Sequence, residues 1–170
     1  MNGEISIEIM DTLSGSELSQ LTELLLEVVN EGASIGFLPP LSEEDARAYF
    51  ESVIKQTSFL VVAKFDNVIV GSVQLHLAPQ PNARHRCEIA KLMTNSSVRR
   101  KGIARLLMNK AEELARESNR SLVVLDTREG DPSNLLYSSL NYIEAGRIPN
   151  YAKSANGKLD TTVYYYKCLI

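Results

Sequence analysis

Residues 99–105, Arg99-Arg100-Lys101-Gly102-Ile103-Ala104-Arg105, gather cations around a glycine just where an amphipathic helical pattern begins. A helix N-terminus already presents unpaired N–H groups and the positive end of the helix dipole, so added cations are unfavourable there unless an anion is to be bound. Gly102 and Ala104 are small enough to let such an anion approach the backbone. The chemistry this predicts is the cradling of a pyrophosphate. The run lacks the Gly-Lys-Ser/Thr ending of a nucleotide-hydrolysing loop, and Ala104 is not followed by the third glycine of a dinucleotide fingerprint, which disfavours ATP and a nicotinamide cofactor.

Two carboxylates lie on strand-like runs flanking this helix, Glu88 in "CEIAKLMT" and Asp126 at the end of "SLVVLDT". Asp126 could face Glu88 across a cleft and help hold or deprotonate an amine, its plainer role being that of a turn or cap ligand. For Glu88 the plainer role is a solvent-facing strand residue. His76 and His85 have no third ligand at metal spacing, so no metal is expected. Cys87 and Cys168 sit in apolar runs without paired spacing and read as reduced core thiols.

The 170 residues, 44% of them hydrophobic, are read as one domain spanning 1–170. A net charge of -3 and a pI near 5.5 give no global attraction to nucleic acid or to an anionic membrane surface. With no basic leader and no 18-residue apolar run, a cytoplasmic location is expected.

The elements that must position these residues follow from periodicity. "EISIEIM" alternates like a strand; Leu18, Leu21, Leu24, Leu25 and Val28 recur at helical spacing, with Ser16 as the expected cap; Ser42 caps a second helix over about 43–54. "SFLVVAKF", an Asp66-Asn67 turn and "VIVGSVQLHLA" predict a hairpin, and "CEIAKLMT" a further strand. Residues 102–118 form the strongest helix, with Ile103, Leu106, Leu107, Ala111, Leu114 and Ala115 on its apolar stripe. "SLVVLDT" is a strand and "DPSNLLYSSL" a helix with Asp131 as cap and Pro132 in its first turn, closed by Asn141 in a left-handed conformation. "YIEAGRI" and "TTVYYYKCL" are the last strands, joined by a polar loop, "PNYAKSANGKLD". This order predicts an α/β fold, a mixed sheet flanked by helices.

The run from Arg99 to Ala104 resembles the Arg/Gln-x-x-Gly-x-Gly/Ala signature of the Gcn5-related N-acetyltransferases (GNAT), and "NLLYSSLNY" is similar to their late tyrosine motif. "GASIGF", "EIAKLM", "LDT", "LYSSLNY" and "GRIPNYAKSANGKLDTTVYYYK" together resemble the subgroup containing the tabtoxin-resistance acetyltransferase, over residues 32 to 167. The resemblance implies a mainly antiparallel central sheet of about seven strands with four helices. It also implies acetyl-CoA as acetyl donor, no metal, a primary amine of a small molecule such as an amino-acid-like toxin or antibiotic as acceptor, and homodimers as a common assembly.

By site, the resemblance implies Glu88 as general base, commonly through water, and Tyr137 as proton donor to the coenzyme A thiolate. Leu92, Met93 and Thr94 would offer backbone amides to the pantetheine arm and the acetyl carbonyl where the strand bulges and splays. Arg99, Arg100, Lys101, Gly102, Ile103, Ala104 and Arg105 would surround the pyrophosphate. Two positions depart from the pattern: Asn141 replaces a glycine, and Gly130 stands where an asparagine often contacts the cofactor, Asn134 being nearby but out of register. Glu27, Glu31, Asp160, Phe37 and Tyr151 are the candidates for an acceptor side. Acetylation of a protein N-terminus or lysine, or a non-catalytic acyl-CoA sensor, are the alternatives.

Overall fold

The structure, a computed structural model, describes residues 3–170. Its elements are β1 (Ile5–Met10), α1 (Gly15–Asn30), α2 (Glu43–Glu51), β2 (Ser58–Phe65), β3 (Val68–Leu77), β4 (Arg86–Thr94), α3 (Ile103–Glu117), β5 (Leu122–Arg128), α4 (Ser133–Ser139), β6 (Ile143–Lys153) and β7 (Leu159–Cys168). The strands form one seven-stranded sheet in the order β1-β2-β3-β4-β5-β7-β6, antiparallel at every pair except β4–β5. This is the mixed, mainly antiparallel architecture with four helices that the element order and the resemblance implied.

Local chemistry accounts for the boundaries. Ser14, two residues ahead of the expected Ser16, caps α1 through a capping box: its hydroxyl accepts from the Glu17 N–H and its own N–H donates to the Glu17 carboxylate. Ser42 caps α2 as expected by accepting from the Asp45 N–H at 3.0 Å. Asp66 and Asn67 both take positive φ, 49° and 66°, as a tight hairpin turn between β2 and β3 requires. Asn141 ends α4 with φ 66°. Asp131, however, does not cap α4; its carboxylate accepts from Arg128 Nε at 3.0 Å.

The sheet is buried on both faces at its centre. Along β2, Leu60 and Val62 pack with α1 and α2 on one face, here called the front, while Val61 and Ala63 pack with α3 on the back. Most of the predicted α3 stripe enters the back core, but Leu106 is 41% exposed and Met108 is fully buried in its stead. Buried Glu112 of α3 accepts from Lys167 Nζ of β7 at 2.9 and 3.0 Å, tying the helix to the far half of the sheet.

The loop expected over 149–160 is mostly strand. β6 and β7 pair as far as Lys153↔Leu159, and the register shift between Ile148 and Ala152 leaves Pro149, Asn150 and Tyr151 as a bulge. Turn-forming residues therefore mark a bulge here as well as a loop.

Gly71 of β3 lies where α3 packs most closely on the sheet: a Cβ there would stand 3.1 Å from the Met93 carbonyl, 3.2 Å from Leu107 Cδ1 and 3.3 Å from Ile103 Cγ2. Gly71→Val should overpack this contact and cost about 1–3 kcal/mol, read as a lower urea midpoint. An unchanged midpoint would mean that α3 shifts freely on the sheet.

Candidate active site

Parallel pairing between β4 and β5 is confined to Arg86↔Leu122, Cys87↔Val123 and Glu88↔Val124, while β5 stays paired with β7 as far as Arg128. On its other side β4 pairs Ala90 with Gln74 and Met93 with Ser72, so Lys91 and Leu92 together oppose Val73 in a bulge. Lys91 adopts φ 55°, a conformation unfavourable for a residue with a Cβ. A bulge bends and twists its strand, and here β4 turns away from β5 beyond Glu88. The expected bulge thus lies at Lys91–Leu92. Met93 is already back in register and buried in the front core, and Thr94 pairs with Gly71.

The two carboxylates lie beside this opening. Cys87 and Ile89 point into the back core, as do Val123 and Leu125, so Glu88 and Asp126 share the front face. Both line a cleft of about 400 Å³ with Lys91, Tyr151 and residues 33–36 of the segment after α1. The Asp126 carboxylate accepts from Thr162 Oγ1 at 2.7 Å, which fixes it against β7. Burial and then the like charge of Asp126 push the Glu88 pKa above the ordinary glutamate value, with Lys91 opposing.

Tyr137 reaches the same cleft from behind. It is buried in the back core, its ring packed edge-on against Tyr165 at 5.8 Å and tilted against Tyr142 at 5.9 Å. Desolvation, reinforced by the charge of Asp126, raises its phenol pKa well above the usual value, so it is held protonated. The cleft therefore passes through the gap between β4 and β5, with carboxylates on one face and a phenol on the other.

The cationic segment begins at the end of β4. Glu27 of α1 pins it by accepting from Asn95 Nδ2 at 2.7 Å, from the Ser96 N–H at 3.0 Å and from Ser96 Oγ at 2.9 Å. Gly102 is the N-cap of α3 with φ 78°, a value that favours glycine, and no side chain caps the helix. There is no acid in the first turn, and a Cβ at Gly102 would meet nothing within 4 Å. Uncapped N–H groups, open space and no competing carboxylate fit a diphosphate.

Three of the four cations nonetheless have protein partners. Arg99 pairs with Glu31, Lys101 lies 5.1 Å from the Phe65 ring centre, and Arg105 Nη2 donates to Ser139 Oγ at 2.7 Å. Arg100, with φ 65°, makes no ion pair among the described residues. Ile103 is buried and Ala104 half-buried in the first turn.

Several acceptor-side candidates move. Glu27 and Glu31 belong to the cationic loop and leave the cleft, whereas Tyr151 and Asp160 line it; Phe37 lines a smaller neighbouring cavity. Asn134 accepts from Tyr165 Oη at 2.8 Å and donates to the carbonyls of Arg128 and Asp131, a packing role. Unforeseen residues of the cleft are Lys91 and Arg128; Tyr164, outside its lining, has its hydroxyl 2.7 Å from that of Tyr151. Arg128 bonds Asp131, Ser154 Oγ and the Gly32 carbonyl, bridging the two cavities. No sequence signal marked Lys91, since β4 also carries Arg86 and Glu88.

Known proteins share this fold. A structure of an N-acetyltransferase from Staphylococcus aureus Mu50 superposes with a TM-score of 0.82 at 16% identity, over 97% of this chain and 99% of that one. An acetyltransferase structure from Salmonella typhimurium with its cofactor acetyl-CoA matches with a TM-score of 0.80 at 16% identity, over 98% and 94% of the chains. An aminoglycoside 6'-N-acetyltransferase complexed with coenzyme A gives 0.78 at 19% identity, over 97% of each. In sequence, an uncharacterized N-acetyltransferase of the hisH-hisA intergenic region of Azospirillum brasilense is 32% identical over 130 residues, 74% of this chain and 77% of that protein. With residues 25–142 also matching the model of the Acetyltransferase (GNAT) family, the chain belongs to that family of N-acetyltransferases.

Proposed function

We propose that this enzyme moves the acetyl group of acetyl-CoA to the primary amine of a small molecule, with Glu88 as general base and Tyr137 as proton donor to the departing thiol. The observation that carries the reading is the convergence of Glu88, Asp126 and Tyr137 on one cleft from opposite faces of the split sheet. The likeness to the tabtoxin-resistance subgroup supports a small acceptor, and one similar structure is of an enzyme named for an aminoglycoside, itself a small polyamine.

When bound, acetyl-CoA supplies an activated thioester. The main-chain N–H groups at 102–105, with Arg99, Arg100, Lys101 and Arg105 around them, would hold its diphosphate, and the β4 edge at Leu92, Met93 and Thr94 would offer amides to its arm. Glu88 takes a proton from the bound ammonium, directly or through water, leaving a neutral amine as the nucleophile, and its raised pKa brings it closer to working pH as a base. Asp126 holds the amine by charge and keeps Glu88 basic. Tyr137 plays the opposite part, since a phenol held protonated in the back core gives its proton to sulfur.

The primary test combines calorimetric titration with acetyl-CoA, coenzyme A and NAD with a thiol-release assay over small amines and peptides. Binding of both CoA species but not NAD, with release driven by small amines, is expected; release driven by peptides alone would replace the acceptor assignment. Gly102→Glu sets a like charge at the anion-binding turn and should weaken acetyl-CoA binding about 100-fold, consistent with about 1–4 kcal/mol for charges a few ångströms apart. Retained affinity would remove the loop from the site.

Tyr137→Phe should lower kcat by about 10²–10⁴-fold with little change in acetyl-CoA affinity, as expected for loss of a general acid. Unchanged turnover takes Tyr137 out of the mechanism. The acid limb of kcat/KM should follow Glu88: activity is lost as pH falls through its raised pKa. Asp126→Asn removes a like charge, lowers that pKa and should move the limb to lower pH. A limb that stays put or rises would show that Asp126 does not act on the base.

A further inference from the structure

Lys91 is a cation of the cleft to which the mechanism above gives no contact with either substrate. It stands at the bulge in left-handed conformation, which costs about 1 kcal/mol or more for a non-glycine residue. Its Nζ donates to the Ile35 carbonyl at 2.5 Å and lies 5.5 Å from the Phe37 ring centre. Gly36 makes room for it, since a Cβ there would stand 2.6 Å from Nζ. Residues 35–37 are thus shaped around an ammonium.

That ammonium has no contact ion pair: Glu88 and Asp126 act on it only from beyond contact distance, opposing the lowering of its pKa by burial. Among the described residues no carboxylate lies within ion-pair distance of Lys91, although it is half-buried and has two donors beyond the one given to Ile35. Charge taken out of water is normally paired. Arg128, the other cation of the cleft, is already spent on Asp131, Ser154 and Gly32. Glu88 and Asp126 supply a negative end for an amine, and Lys91 supplies a positive end in the same cavity.

We infer that Lys91 is the binding group for an acidic substituent of the acceptor, making the substrate class an amine that also carries a carboxylate, as in an amino acid. This rests on the amine-acetylation reading above. A strand-loop latch alone would need only the Ile35 contact, whereas a specificity residue must distinguish acceptors by charge.

The test measures thiol release with α-, β- and γ-amino acids and with their carboxamides, which keep the amine and lose the negative charge. Wild-type enzyme should favour the best carboxylate over its amide by about 10- to 100-fold in kcat/KM. In Lys91→Met that preference should vanish through a higher KM for the carboxylate, with the amide little affected, and Lys91→Arg should restore part of it. Thermal unfolding and acetyl-CoA titration verify that each variant is folded and binds its donor.

Equal use of carboxylates and amides by wild type, or an equal loss on both in Lys91→Met, overturns the inference and leaves amine acetylation standing. Absence of thiol release with every amine, acetyl-CoA binding being intact, overturns the acetylation reading and this one with it.

Discussion

Parallel pairing between β4 and β5 ends at Glu88↔Val124, and the rest of the site depends on that early end. If the two strands stayed together, Glu88 and Asp126 would be adjacent carboxylates on a continuous front face and Tyr137 would be sealed behind the sheet. The bulge at Lys91–Leu92 and the parting of β4 leave backbone groups without strand partners, which a folded chain tolerates only where water or a ligand can satisfy them. The opening thus provides both a passage and a row of hydrogen-bonding groups along it.

The surrounding charges are separated accordingly. The cations of 99–105 lie at the start of α3, while the carboxylates lie on the front face beyond the bulge, so an anionic group and a cationic one would meet complementary charge at different places. The loop does not rely on free arginines for this. Arg99, Lys101 and Arg105 are occupied by Glu31, Phe65 and Ser139, which leaves the oriented N–H groups of the helix as the fixed component of the anion site.

Much of this was legible in the sequence because it rests on local chemistry. Ser42, Asp66-Asn67, Asn141 and the apolar period of α3 fix elements through caps, turns and one buried stripe, and Gly102 marks a turn that favours glycine. Expectation and structure part where long-range pairing overrides local signals. Pro149 and Asn150 read as a loop because they cannot continue a regular ladder, yet β7 continues beside them and absorbs them as a bulge. Glu27 and Glu31 read as acceptor-side candidates because nothing near them in sequence shows that α1 lies beside 95–99. Lys91 was not legible: β4 also carries Arg86 and Glu88, so a lysine there stands out from nothing, and its positive φ and its contact with Ile35 are tertiary facts.

One helix and the chain just after it support both halves of the site. Glu27 of α1 holds the segment that leads into the turn before α3, and from the chain that follows, Glu31 pairs with Arg99 while the Gly32 and Ile35 carbonyls hold Arg128 and Lys91. Each carbonyl or carboxylate meets a group from β4, β5 or the turn before α3, across 56 or more residues of sequence. A displacement of α1 along its axis would therefore disturb the donor turn and the acceptor cleft together. The dense packing of Leu21, Leu25 and Val29 against the front of the sheet resists such a displacement, because a buried stripe at interior density has no lower-energy position nearby. The apolar face of α1 thereby sets the relative positions of two polar sites whose chemistry is carried by other elements.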